Sequence, residues 1–81
     1  MDNKDLIQNR LRAEGEVEFE GATLKFAGDF DTLKRGDTYV AERNSGPKLL
    51  TVDHVTMNVV FPVENAYPFN LMECVKVEIV L

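Results

Sequence analysis

Apolar and polar positions alternate through two reversals along residues 37–63, and this pattern predicts three antiparallel strands. Asn44, Ser45, Gly46 and Pro47 suit a four-residue loop, because the first three tolerate turn dihedrals and proline cannot donate to a ladder. That loop sets Arg43 opposite Lys48, Ala41 opposite Leu50 and Tyr39 opposite Val52, with Tyr39, Ala41, Leu50 and Val52 on one sheet face. A second reversal near Thr56 and Met57 pairs Val52 with Phe61 and Leu50 with Val63, which adds Val59, Phe61 and Val63 to the same face.

A further hairpin is expected over residues 16–26. A turn at Gly21 and Ala22 pairs Phe19 with Leu24, Val17 with Phe26 and Glu18 with Lys25, and a turn one residue earlier keeps the same faces. Residues 27–36 break the alternation and read as a connection, with Asp31 capping one helical turn and Phe30 and Leu33 pointing inward. Before the hairpin, Asp2 or Asn3 caps a short helix with Asp5 in its first turn, Arg10 and Arg12 in its last, and Gly15 as its stop. Leu6, Ile7 and Leu11 form its narrow apolar stripe, which must dock on a sheet because a helix this short is unstable alone.

Pro62 marks an edge, an end or a bulge in its strand. Residues 64–72 follow as a loop whose Phe69 and Leu71 close the core, or whose Tyr67 and Phe69 are displayed. In the last segment Val75, Val77, Ile79 and Leu81 alternate with Cys74, Lys76 and Glu78, a strand expected to pair with an existing edge. The inward-facing set is Phe19, Leu24, Phe26, Leu50, Val52, Val59, Phe61, Val75, Val77 and Ile79. The fold expected is mainly β: a small SH3-like barrel or a strongly bent antiparallel sheet of five to six strands, with one short N-terminal helix. The likeness to SH3-like barrels is one of layout alone, and such folds host many kinds of partner.

Composition narrows the function classes. With 81 residues the chain is expected to form one domain, and 44% apolar residues with no run near the length of a membrane span suggest a soluble, cytoplasmic protein with no membrane partner. The formal charge of -5 disfavours nucleic acid as a partner, but residues 34–48 are a net-basic block containing Lys34, Arg35, Arg43 and Lys48. No cofactor or metal is expected: one cysteine and one histidine make no zinc set, and Asp29 and Asp31 begin a calcium loop that fails at Leu33 and lacks its sixth-position glycine. The Arg35-Gly36-Asp37 tripeptide reads as a turn. Ser45, His54 and Cys74 are the available parts of a nucleophilic site, yet they fall on separate elements, so no enzyme is expected.

The favoured expectation is a protein-interaction module whose partner-binding residues are Tyr39, Arg43, Lys48, Tyr67 and Phe69, since aromatic residues and arginine anchor interfaces. The alternative is an acidic inhibitor or nucleic-acid mimic presenting Glu14, Glu16, Glu18 and Glu20 to a basic partner. The other reading of these glutamates is a solvated edge strand that resists aggregation, and self-association stays open as well.

Overall fold

A computed structural model describes residues 6–43 and 46–80. Helix α1 (Ile7–Glu14) is followed by β1 (Glu16–Phe19), β2 (Ala22–Gly28), β3 (Thr38–Arg43), β4 (Gly46–Thr56), β5 (Val59–Pro62), β6 (Phe69–Asn70) and β7 (Cys74–Val80). The strands form one antiparallel sheet in the order β1-β2-β7-β3-β4-β5-β6. It does not close into a barrel. β6 comes out of the segment expected to be a loop.

The two hairpins become one sheet through β7. It lies between β2 and β3 rather than at an edge, and its burial explains why: Val75 and Val77 enter one core while Cys74 enters the other. A strand covered on both faces belongs in the middle of a sheet. Ile79, expected inside, is 44% exposed, although its partner on β2, Leu24, is fully buried.

Two cores result. Ile7, Leu11, Val17, Leu24, Val40, Val75 and Val77 form the first, with Phe19, Phe26 and Leu49 packed around it. Tyr39, Ala41, Leu50, Val52, Val60, Phe69 and Cys74 form the second, bordered by Leu33, Ala66 and Leu71. Val40 and Leu49 alternate with Tyr39 and Leu50, so β3 and β4 serve both cores at once.

Helix α1 covers the first core through Ile7 and Leu11, each burial contributing about 1.5–3 kcal/mol. The proposed caps Asp2 and Asn3, and Asp5, lie outside the described residues. Among those described, the Ile7 amide donates to Glu42 Oε1 at 2.7 Å, so a carboxylate from β3 satisfies an orphan N–H at the positive end of the helix. Gly15 ends the helix in the left-handed region at φ 85°, where its amide donates to the Leu11 carbonyl.

Turn chemistry shifts the expected registers. Between β1 and β2 the turn residues are Glu20 and Gly21, both with positive φ, so Val17 opposes Leu24, Phe19 opposes Ala22, and Lys25 faces Glu16 rather than Glu18. Between β3 and β4 the loop is two residues, not four: Arg43 opposes Gly46, Ala41 opposes Lys48 and Tyr39 opposes Leu50. Both slips are by two residues, which keeps every side chain on its expected face.

The β4–β5 hairpin differs by one, and its faces change. The turn sits at Met57 and Asn58, both at positive φ, and Asp53 is an extra residue between the Val52–Pro62 and His54–Phe61 pairs. Val60 therefore enters the core in place of Val59 and Phe61, while Val63 lies exposed. Pro62 ends its strand beside this bulge. The connection after β2 contains a short 3-10 turn (Phe30–Thr32) with Asp29, rather than Asp31, at its cap position.

Candidate functional site

The second core supports a groove of about 580 Å³ lined by Arg43, Lys48, Asn65, Ala66, Tyr67, Pro68 and Phe69. Its floor and walls follow from the strand pairing. Phe69 opposes Val60 in the β5–β6 pair and is 2% exposed, which fixes one end of the 64–69 segment in the core. Two residues earlier, Tyr67 is 82% exposed. Pro68 between them holds the chain extended on the way into β6.

Arg43 secures this arrangement from the end of β3. Its guanidinium carbon lies 4.2 Å from the Phe69 ring centroid, and Nη2 donates to the Pro68 carbonyl at 2.6 Å. A planar guanidinium makes both contacts at once, with its face on the ring and one edge on the carbonyl, so lysine would not replace it. Lys48 sits two residues along from the Arg43–Gly46 pair on β4 and on the same face, opposite Ala41. Among the described residues Lys48 has no ion pair, and Arg43 faces no carboxylate. Arg10, Arg12 and Lys76, in contrast, are paired with Glu14, Asp29 and Asp37.

Four of the five residues expected to bind a partner thus line one groove, and the fifth does not. Tyr39 is fully buried beneath it, so it offers no surface. Its parity on β3, which assigned it to the inward face, already marks it as core. Its hydroxyl has no hydrogen-bond partner among the described residues. Burial, helped by the nearby Cys74 and Glu64, raises its pKa above the ordinary value. Asn65, Ala66 and Pro68 are lining residues that the sequence reading passed over, and their signal was adjacency to Tyr67 in one loop.

The wall is braced by Glu64. Its Oε1 accepts the Thr51 amide and its Oε2 the Thr51 hydroxyl, both at 2.9 Å, so a side chain substitutes for a ladder bond beside β4. Burial pushes the carboxyl up, but hydrogen bonds from Thr51 and from its own backbone outweigh it and leave the pKa below the ordinary value.

Comparison with protein-family models, curated proteins and solved structures gives no match. The site is therefore read from its own geometry. Cys74 is fully buried, and burial followed by the Glu73 charge pushes its thiol up to about 12, against a smaller opposing effect of Arg43. Ser45 lies outside the described residues. His54 is exposed, with Nδ1 2.7 Å from Asp53 Oδ2 and its ring stacked on Phe61 at 4.5 Å between centroids. Among the described residues no group of three or more His, Cys, Asp or Glu side chains is placed to hold a metal ion. No helix among them is long and apolar enough to cross a membrane. Asp37 of the Arg-Gly-Asp tripeptide is engaged locally, its Oδ2 accepting the Lys34 amide at 3.0 Å and lying 3.5 Å from Lys76 Nζ.

Proposed function

We propose that the chain is a non-catalytic protein-interaction module that takes an extended segment of a partner protein into the groove between the β3–β4 hairpin and the 65–69 segment. The observation that carries this reading is the position of Tyr67. A tyrosine that is 82% exposed stands beside two cations that have no carboxylate partner among the described residues, in a protein of formal charge -5. Exposed aromatic area at low entropic cost, with arginine alongside, is the composition of binding hot spots. Phe69, though buried, contributes by fixing the loop through its stack with Arg43.

Lys48→Glu is the clean test, because Lys48 is exposed and Arg43 also holds the loop. In quantitative capture from the source cell, partners of this groove are recovered less by the variant, and the difference shrinks as salt rises. Identical recovery of every partner by both proteins, at low and high salt, would contradict the reading.

A further inference from the structure

We propose that a second copy of the chain docks in the groove through the outer edge of β1, so that two copies form a symmetric pair; this rests on the reading of the groove as a protein-binding site.

Charge and spacing point to this occupant. Arg43 and Lys48 lie diagonally across the β3–β4 hairpin on one face, a separation of about 7–8 Å between backbone positions. An extended strand with carboxylates at every second residue repeats at about 6.8 Å. β1 is an edge strand of the sheet; Glu16 and Glu18 on it are exposed on the face opposite Val17, and Glu20, exposed as well, follows in the turn. The cations and the carboxylates therefore match in sign and repeat.

Position makes the match reciprocal. A second groove of about 330 Å³ starts at Phe19 and Glu20 and shares Lys48, Asn65 and Ala66 with the first. The acidic edge and the basic groove thus border one continuous surface. Within one molecule Phe19 and Glu20 reach only the rim that the two grooves share, and Glu16 and Glu18 are held away from it by their register with β2. Across a two-fold axis, however, each copy's acidic edge meets the other's basic groove, and both contacts form together. Direct β1–β1 pairing is opposed by the same glutamates, which would face one another.

Sedimentation velocity of the full chain, across concentration and at low and high salt, tests the pair. The wild type is expected to show a monomer–dimer equilibrium that salt shifts towards monomer. Lys48→Glu alone and Glu18→Lys with Glu20→Lys are each expected to weaken dimerisation at least about tenfold while keeping the wild-type melting temperature. An equimolar mixture of the two variants is expected to restore a dimer, because their reversed edges and grooves are again complementary. Should a variant fail to fold, Tyr67→Ala, altered at the groove's exposed aromatic, is expected to weaken the dimer at both salt concentrations. A monomer under all conditions would overturn the self-pairing and leave the groove reading to its own capture test. A dimer insensitive to these reversals, or variants that do not complement, would overturn it equally.

Discussion

The two cores are built to different standards. The first joins a helix to a local hairpin and is filled by aliphatic side chains, with Leu11, Leu24, Val40 and Val75 fully buried. The second encloses a tyrosine hydroxyl and a thiol, closes with a two-residue strand, and depends on an exposed arginine to hold its last wall. Apolar packing in the first favours stability, whereas the polar groups of the second lose hydration for little or no hydrogen bonding. The groove lies over the second core, where the chain accepts weaker packing in exchange for a displayed loop.

Deleting side-chain volume should separate the two most. Leu24→Ala in the first core is expected to cost about 2–5 kcal/mol, against about 1–3 for Val52→Ala in the second. Urea unfolding measures both, and a second-core cost larger than the first would reverse the comparison. Next in size is Gly21→Val. Gly21 has φ 84° in the first hairpin's turn, and a β-branched residue there should cost about 1–2 kcal/mol. An unchanged melting temperature would remove that turn from the account.

Alkaline pH should act through the second core alone. The Cys74 thiol is raised in the folded chain from 9.0 to about 12, so below pH 9 its contribution is complete, and it is lost as pH rises towards 12 while the unfolded chain ionises. The loss should reach about 1 kcal/mol by pH 10. Cys74→Ala should remove that onset, leaving the later loss from Tyr39, whose ordinary value is 10.0. Melting temperatures from pH 8 to 10.5 decide it, and identical slopes for the two proteins would contradict a buried neutral thiol. The smallest effect is Tyr39→Phe, which removes a hydroxyl with no partner among the described residues and should leave stability unchanged or raise it by up to about 1 kcal/mol. A clear fall in melting temperature would mean that the hydroxyl is bonded.

How much could be read beforehand follows the same division. Strand parity placed Val17, Leu24, Val40's neighbours Tyr39 and Ala41, and Leu50 on their faces, because the slips in the first two hairpins were by two residues. It failed where parity itself changed. The Asp53 bulge moves β5 by one and exchanges Phe61 for Val60, although Asn58, a residue tolerant of positive φ, marked the true turn. The position of β7 depends on pairs as distant in sequence as Thr23 with Val80 and Ala41 with Cys74, which alternation within a strand cannot specify. Of the site, Arg43 and Lys48 were legible as a shared face, and Tyr67 with Phe69 as a loop. The division of that pair into one exposed and one buried ring depended on where β6 began, and a two-residue strand leaves almost no periodic signal.

The central claim is that Tyr67 serves binding and not folding. Its direct test is quantitative capture from the source cell by wild type and Tyr67→Ala, with melting temperatures measured on the same samples. Because Tyr67 is 82% exposed, the account predicts an unchanged melting temperature together with a roughly tenfold or greater loss of at least one partner at any salt concentration. Equal recovery of every partner, or a binding loss matched by a fall in melting temperature, would contradict it.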